Sequence, residues 1–328
     1  MSLHADDIAA LVAEANLAPS VHNTQPTRWR LAADGSVLVL EDTARRLTIG
    51  DPTGRDAAVS HGAAIEGFAM ACAARGLGVG VDVLEGPEDA GLRPVARLTL
   101  SPGAPTDDLR AFVPARRTYR GAFARPAQPV LLEALASSDD AHLADTSPSV
   151  ARLAHLNDVA SLRTFRDGAY RAELLSWMRL SRRDPRWAVD GLNAEAMEMS
   201  RFEAAAAGVV LGPGMFEALD RIGAARLFVA EADVVRSAQA IVLFHRPSSE
   251  SPLLTGRRFY RLWLEFARLG LSAAPMAVLA DDESTRSIIA REFGLPIGRR
   301  LITAFRLGLA PPRNLGPKPR LPVKELLI

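Results

Sequence analysis

The chain has 328 residues, 48% of them hydrophobic and 23% charged, which is the composition of an ordinary globular protein and excludes a disordered or fibrous one. With 39 Lys and Arg against 38 Asp and Glu, the formal net charge is +1, so no overall field attracts nucleic acid or an anionic membrane. The single cysteine, Cys72, excludes an internal disulfide framework and a cysteine-based zinc site.

Targeting signals and membrane spans are not expected. Acidic residues arrive by Asp6, where a signal peptide would be basic and then apolar. The most apolar stretch, residues 204–216, is too short for a membrane span. Together with the single cysteine, these features predict a cytoplasmic protein that binds neither nucleic acid nor membranes. The histidines include no pair at metal-ligand spacing, so we also expect no metal.

The first hundred residues predict two helices and four strands from their apolar periodicity and turn residues. Cys72 falls on the apolar face of the second helix, which predicts a core position and not a nucleophile. In chain order, the predicted elements are a helix over 8–15 that Pro19 ends, strands 27–31 and 37–41 around Asp34-Gly35, a helix from about Ala57 to Gly76, and strands near Val81 and over 95–100.

The rest of the chain follows a breaker cluster at residues 101–105, and it is longer and richer in helices. One strong helix has an apolar stripe from Phe259 to Leu269 and ends at Gly270. In chain order, the predicted elements are a helix after Pro129, several helices over about 150–235, a strand over 240–244, the strong helix, a strand near 275–279, a helix ending at Gly294 and a strand over 304–309.

The two parts of the chain share a similar order of motifs. In each part an apolar helix runs into an Arg-Gly-Leu or Arg-Leu-Gly-Leu turn and a strand, and a later strand leads into a Gly-Ala-Pro or Leu-Ala-Pro segment. This repetition indicates duplication. We therefore predict two units, 1–112 and 113–328, with the helical segment 150–235 inserted in the second.

The first motif that carries chemistry is Pro-Ser-x-x-Asn-x-Gln-Pro over residues 19–26, between a predicted helix and a predicted strand. Its side chains Ser20, Asn23 and Gln25 could offer hydrogen-bond donors and acceptors to the edge of a planar heterocycle. The alternative is an ordinary Asn- and Pro-rich turn.

The second motif, Arg-Arg-Thr-Tyr-Arg over residues 116–120, groups three arginines around a hydroxyl. Guanidinium groups form bidentate bonds with phosphate, and the Thr118 hydroxyl adds a further donor. The alternative is a solvated basic turn. Near the C-terminus, Pro-Lys-Pro-Arg-Leu-Pro over residues 317–322 is either a solvated basic tail or a second contribution of cations, Lys318 and Arg320.

The last motif is Leu-Gly-Leu-Ser-Ala-Ala-Pro-Met-Ala over residues 269–277, which taken alone is an ordinary helix C-cap followed by a strand. A different glycine-rich segment, Gly-Leu-Gly-Val-Gly over residues 76–80, matches a dinucleotide fingerprint only in its letters. It follows a helix and precedes a strand, which is the reverse of the required context.

Together, in this order and over nearly the whole chain, the motifs resemble those of the nitroreductase superfamily. The resemblance implies an α+β fold in two unequal fused copies, each with a mainly antiparallel sheet flanked by helices. The first motif occurs only in the first unit and the phosphate motifs only in the second, which fits a fused dimer that retains one flavin site. This arrangement, with Asp-Pro-x-Gly-Arg at 51–55 leading into Ser-His-Gly at 60–62, is similar to the Acg branch.

The resemblance also implies one non-covalent FMN per chain and a role for each motif. The ring would lie beside Ser20, Asn23 and Gln25, with Arg120 at the ribityl chain or the pyrimidine edge. The implied contacts of the phosphate are Arg116, Thr118, Lys318 and Arg320, and those of the flavin face near N5 are Pro275, Met276 and Ala277. Several relatives carry an acidic residue in the place of Ala277. No catalytic acid or base is assigned.

The implied activity is hydride transfer through flavin N5, with NAD(P)H as the reductant and a nitroaromatic, a quinone or a similar small molecule as the acceptor. The alternative is a protein that sequesters or stores FMN under a covered site, because segment 150–235 could form a lid. The assembly would be a pseudo-dimeric monomer or a homodimer.

Overall fold

The protein contains two four-stranded antiparallel sheets, each with helices beside it. The computed structural model describes residues 5–124, 132, 135, 138–312 and 318–328. The predicted α+β class is confirmed. The first sheet and its helices comprise α1 (Ala5–Ala15), β1 (Thr27–Leu31), β2 (Val37–Asp42), α2 (Arg55–Ala73), β3 (Leu77–Val83) and β4 (Leu92–Pro102), with 3-10 turns at Val21–Asn23, Thr43–Arg45 and Asp108–Phe112.

In the second sheet, a long helical insert separates the first strand from the second along the chain. Within the described residues this part comprises β5 (Ala141–Ala144), α3 (Ser147–Arg166), α4 (Gly168–Trp177), β6 (Met178–Arg179), β7 (Leu192–Asn193), α5 (Arg201–Val210), α6 (Met215–Arg221), α7 (Arg226–Val229), α8 (Ala232–Arg236), β8 (Ala240–Pro247), α9 (Pro252–Arg268), β9 (Ser272–Met276), α10 (Val278–Asp281), α11 (Glu283–Glu292) and β10 (Arg299–Gly308), with a 3-10 turn at Val323–Glu325.

Both sheets have the same strand order. The first is β1-β2-β4-β3 and the second is β5-β8-β10-β9, so in each sheet the fourth strand lies between the second and the third. In each, one long helix connects the second strand to the third: α2 in the first sheet and α9 in the second. These two helices pack against each other, and Tyr260 and Leu264 of α9 belong to the same apolar core as Ile65 and Phe68 of α2.

The C-terminal residues 318–328 pack against the first sheet. Leu321 and Leu326 are buried in its core. The backbone N–H of Trp29 in β1 donates to the carbonyl oxygen of Leu326 (2.8 Å), and the N–H of Ile328 donates to that of Trp29 (3.0 Å). The tail thereby crosses from the second sheet to the first, and it carries Lys318 and Arg320 with it.

Several predicted elements need correction. The strand expected near 275–279 is β9, Ser272–Met276, and the residues after it form the short helix α10. Pairing with β10 ends at Met276, and Pro275 is tolerated because β9 is an edge strand. Strands β5, β6 and β7 were not predicted, since each has four residues or fewer. The helix expected after Pro129 and the tail residue Pro317 lie outside the described residues.

Among the described residues, no single helix is long and apolar enough to cross a membrane. Helices α5 and α6, bent by 82° at their junction, reach that length and apolar composition only when they are taken together.

Candidate functional site

A cavity of about 930 Å³ lies where loops of the two sheets meet the helical insert. Its walls come from the loop after α1, the first turns of α2, residues 116–120, helix α3, residues 191–198 and the end of β9. All of the predicted site residues except Gln25 line it: Ser20, Asn23, Arg116, Thr118, Arg120, Pro275, Met276, Ala277, Lys318 and Arg320.

The loop after α1 is held in a rarely populated backbone conformation. His22, Asn23 and Gln25 have φ values of 43°, 54° and 52°, in the left-handed region that side chains other than glycine seldom adopt. Two hydroxyl groups fix it: the N–H of Val21 donates to Ser60 Oγ, and that of Gln25 donates to Ser20 Oγ, both at 3.0 Å. Strain that surrounding contacts maintain in this way is common at ligand sites.

Gln25 supports this loop from behind, and its side chain does not line the cavity. Its Nε2 donates to the carbonyl oxygen of Val189 (2.9 Å), and its Oε1 accepts from the N–H of Leu321 (2.7 Å). Asn23 Nδ2 donates to the carbonyl oxygen of Gly191 (3.2 Å). The loop is therefore bonded to the insert and to the C-terminal tail at once.

Two arginines donate to the backbone just after α1, and Lys318 lies beside them. Arg116 Nη2 and Arg320 Nη2 both donate to the carbonyl oxygen of Leu17, each at 3.1 Å. Arg320 Nη1 donates to Asn23 Oδ1 (2.9 Å). Lys318 Nζ donates to the carbonyl oxygen of Val113 (3.1 Å). Backbone carbonyl oxygens therefore hold all three side chains in place.

Burial and mutual repulsion both disfavour the charges of these cations. Burial first, and then Arg116, Arg320 and Arg117, lower the pKa of Lys318 to about 6. Burial and then Arg116 lower the pKa of Arg320 to about 9. The Nε atoms of Arg116 and Arg320 are buried without a hydrogen-bond partner in the described part of the chain. A phosphate would relieve the repulsion and accept from the unused donors.

Further cavity walls come from the edge strand and from Arg120. The N–H of Tyr119 donates to the carbonyl oxygen of Ala273 in β9 (3.0 Å), which brings residues 116–120 beside Pro275. Arg120 Nη1 donates to the carbonyl oxygen of Ala196 in the insert (3.1 Å). Burial, followed by the charge of Arg120, lowers the pKa of His22 to about 4, so this histidine is neutral at physiological pH.

Sequence reasoning missed a group of cavity residues at the end formed by α3, α10 and the first turn of α2. These residues are Asp56, Asn157, Ser161, Tyr170 and Asp281. Asp56 directly follows the Asp-Pro-x-Gly-Arg motif, which was the available signal for it. The other four come from the insert and from α10, where helical periodicity alone does not distinguish a cavity wall from a solvated face.

Buried polar clusters elsewhere have a structural role. His61 Nδ1 is 2.9 Å from Thr27 Oγ1, and Glu41 lies beside it with Arg46 and Arg93. His61 does not line the cavity, although its neighbour Ser60 does. Cys72 is buried, as predicted, and burial raises the pKa of its thiol to about 12.

The fold and the cavity thus define an α+β protein with a cationic end to its cavity and a long helical insert, and comparison with known proteins narrows this class. No family model matches the chain. It is similar over nearly its whole length to a Mycobacterium tuberculosis H37Rv protein named "Putative NAD(P)H nitroreductase acg", with 28% identity over 343 residues, 98% of this chain and 95% of that protein. The predicted resemblance to the Acg branch is confirmed.

A second protein of the same strain, "Putative NAD(P)H nitroreductase Rv3131", is 32% identical over 120 residues, which cover 36% of this chain and 35% of that protein. Among solved structures, a "putative nitroreductase" from Anabaena variabilis ATCC 29413 has a TM-score of 0.47 at 10% identity, covering 93% of this chain and 88% of its own. The "FMN and NADPH-dependent nitroreductase NfnB" from sphigopyxis sp. strain HMH has a TM-score of 0.36 at 16% identity, covering 67% of this chain and 97% of its own.

Proposed function

We propose that the chain binds one FMN non-covalently and acts as a nitroreductase-type oxidoreductase, using NAD(P)H to reduce a small acceptor such as a nitroaromatic or a quinone. The observation that carries the proposal is the mutually repelling cluster of Arg116, Lys318 and Arg320, which opens into the same cavity as the strained loop after α1. The names of the two mycobacterial relatives support the same chemistry.

The phosphate of FMN would lie among Arg116, Lys318 and Arg320. Each of the three offers N–H donors, and the Nε atoms of the two arginines lack a partner within the described residues. The Thr118 hydroxyl lines the same wall and adds a donor. Charge-assisted bonds of this kind are the strong ones, and guanidinium groups match phosphate geometry.

The flavin ring and ribityl chain would occupy the space between the loop after α1 and the end of β9. Ser20 and Asn23 face this space from one side, and Pro275, Met276 and Ala277 face it from the other. Arg120 is our candidate for the cation at the pyrimidine edge or the ribityl chain. Gln25 would act indirectly, by holding the loop. When bound, FMN supplies hydride transfer through N5, and the protein positions it and controls access to it.

We further propose that the chain is a fused pair of units, 1–112 and 113–328, that keeps one flavin site. The shared strand order and the packing of α2 against α9 support this. The split of the motifs supports it too, because the loop comes from the first unit and the cations come from the second. A single chain would then be a pseudo-dimer.

Flavin storage is the second candidate function, and it is favoured by how closely the insert is joined to the site. Residues of α3, α4 and 191–198 line the cavity. The N–H of Gly191 donates to the carbonyl oxygen of Asn23 (3.2 Å), and Asn23 donates back to Gly191. A lid bonded to the ring-binding loop would restrict the entry of a dinucleotide.

The experiment that tests the proposed cofactor is a count of flavin per chain. Purified protein is saturated with FMN and gel-filtered, and acid-released flavin is then measured against protein concentration. We expect a ratio near one. A ratio near two would contradict the single split site, and no retained flavin would overturn the proposed function.

A further inference from the structure

Helix α3 presents polar residues to the cavity in one row. Asn157, Ser161 and Thr164 are spaced at i, i+4 and i+7, so they lie on one face of the helix, and all three line the cavity. One turn towards the N-terminus, the same face of the helix carries Leu153 and Ala154 into the apolar core. A polar row where the rest of the buried helix is apolar needs a polar partner.

In this row, the side-chain amide of Asn157 lacks a hydrogen-bond acceptor among the described residues. Asn157 is 2% exposed, and its Nδ2 donor is buried. A buried amide left in this state costs free energy, because it gives up its bonds to water and gains none. Asn157 therefore points to a ligand that accepts at this end of the cavity.

Two carboxyl groups face the same space from the two units. Asp56 lies in the first turn of α2, and Asp281 is the last residue of α10, which packs on α3. In the part of the chain that the structure describes, neither carboxyl group forms a hydrogen bond or an ion pair with another side chain. Their neighbours Asp51 and Asp282 differ, since Asp51 accepts from the N–H of Ala57 and Asp282 pairs with Arg163.

Burial and mutual repulsion disfavour the charges on this pair. Burial and then Asp51 raise the pKa of Asp56 to about 6, and burial and then Asp56 raise that of Asp281 well above its usual value. Arg55, Arg286 and Arg300 lie near enough to oppose these shifts. None of the three lines the cavity. Arg163 does line it but is paired with Asp282, so Asp56 and Asp281 remain as acids that a ligand can meet.

Aromatic rings complete this end of the cavity. Phe165 and Tyr170 line it, with ring centroids 5.8 Å apart in an edge-on arrangement. Burial and the charges of Asp281, Glu173 and Asp56 raise the pKa of the Tyr170 hydroxyl to about 12, which keeps it protonated as a donor. Aromatic faces beside carboxylates bind organic cations better than they bind anions or neutral groups.

We propose that this acidic end, defined by Asp56, Asn157, Ser161, Tyr170 and Asp281, binds the ammonium or amidinium group of a small aromatic substrate. A cation between Asp56 and Asp281 relieves their repulsion, and an oxygen or ring nitrogen of the same molecule accepts from Asn157 Nδ2. The cavity then has two ends of opposite charge, with cations for the cofactor phosphate and acids for the substrate. The substrate class rests on the proposed function, whereas cation binding itself does not require the flavin.

The test compares three ligands of similar shape and different charge: benzylammonium, benzyl alcohol and benzoate. Isothermal titration at pH 8 with the full-length protein, with and without added FMN, measures each affinity. We expect benzylammonium to bind at least about tenfold more tightly than benzyl alcohol, a difference of about 1.4 kcal/mol. With FMN added, benzoate should bind most weakly, because the cofactor phosphate then occupies the cationic end.

Variants assign the preference to the carboxyl pair. Asp281→Asn and, separately, Asp56→Asn should each reduce the preference for the cation at least about threefold. Asp145→Asn, an exposed acid that does not line the cavity, should leave it unchanged. Circular dichroism identifies any variant that is not folded, and having two variants keeps the test decisive if one of them fails.

Equal affinities for the three ligands, no binding of benzylammonium, or an unchanged preference in both folded variants would overturn the proposal. Flavin content is measured on the same samples, so the two ideas can fail independently. Cation preference without retained flavin would contradict only the proposed cofactor, and retained flavin without cation preference would contradict only the substrate class.

Discussion

Gly62 of α2 and Gly256 of α9 meet where the two long helices cross, each against the backbone of the other helix. A Cβ atom added to Gly62 would overlap the carbonyl oxygen of Leu253, and one added to Gly256 would overlap that of Val59. Only glycine allows this approach. The crossing packs the two halves together and sets the position of the first two turns of α2, from which Asp56 and Ser60 reach the cavity.

Alanine at either crossing glycine should therefore destabilise the whole fold. We expect Gly62→Ala and Gly256→Ala each to lower the free energy of unfolding by at least about 2 kcal/mol, since overpacking a tight contact typically costs 1–3 kcal/mol. Urea unfolding followed by circular dichroism measures it.

The control is Gly208→Ala in α5, where a Cβ would meet only the end of the Leu180 side chain at 3.2 Å. That change should be neutral or should stabilise by up to about 1 kcal/mol, because alanine is the better helix former. Equal destabilisation at all three glycines would show that the crossing is not special.

Truncation of the cation cluster should weaken FMN binding. Arg116→Ala and Arg320→Ala should each cost about 1.5–3 kcal/mol, the range for a charge-assisted hydrogen bond. Fluorescence titration of FMN measures the loss. Lys324→Ala, an exposed lysine outside the cavity, should change the affinity little. Similar losses in all three variants, accompanied by lower melting temperatures, would indicate general destabilisation.

Lys318 should make the stability of the FMN-free protein depend on pH. Its pKa is about 6 in the folded state against 10.5 as the ordinary value, so between these values the unfolded chain binds more protons than the folded one. Stability therefore rises with pH across that window, by up to about 1.4 kcal/mol per pH unit from this group. Lys318→Met should flatten the rise when urea unfolding is measured at pH 7, 8 and 9.

Bound FMN should flatten the same profile, because a phosphate beside Lys318 raises the pKa of its amine towards the ordinary value. An unchanged slope with FMN present would place the phosphate elsewhere. A wild-type slope that Lys318→Met does not alter would assign the pH dependence to other groups.

The insert should slow reduction by nucleotides more than reduction by small reagents. We expect dithionite to reduce bound FMN readily and NADH and NADPH to do so at least about tenfold more slowly, which corresponds to about 1.4 kcal/mol of added barrier. Stopped-flow absorbance of the flavin measures both. Fast, saturable reduction by either nucleotide would contradict a covered site and favour the ordinary reductase.

A buried carboxylate gives a way to loosen the insert. Asp190 pairs with Arg179 and Arg186 within the insert and with Arg45 of the first unit (3.0 Å). Asp190→Asn should raise the rate of reduction by NADPH at least about threefold and leave the dithionite rate unchanged, because the lid opens more often. Glu217→Gln, whose partner Arg171 lies inside the insert, is the matched control and should change neither rate.

Features with a local signature were predictable from the sequence. The apolar stripe and Gly270 predicted the end of α9, and the Asp-Gly turn predicted β1 and β2, to within a few residues, because helical period and turn chemistry act over short distances. The stripe began at Phe259, seven residues after the start of α9 at Pro252. The motif residues from Ser20 to Arg320 were chosen on local patterns, and all but Gln25 face one cavity. Gln25 shares the pattern of its neighbours, but its side chain turns towards Val189 and Leu321.

Contacts between segments that are distant in the sequence were not predictable. Asp56 and Asp281 face the same space only because α10 packs on α3 beside the start of α2, and no local pattern encodes that meeting. Asn157 has the sequence context of a solvated helix face, and its burial depends on the elements that pack around α3. Tertiary packing decides such positions, which is why a single sequence leaves them open.

The C-terminal tail also covers part of an exposed edge of the first sheet. β1 is an edge strand, and an unpaired strand edge is a template on which another chain can add. Residues 326–328 bond to Trp29 at this edge and cover part of it. The same tail carries Lys318 and Arg320, so an anion bound by those cations would also stabilise the pairing of the tail with β1. Loss of the tail would leave the protein both less able to hold an anion and more prone to self-association.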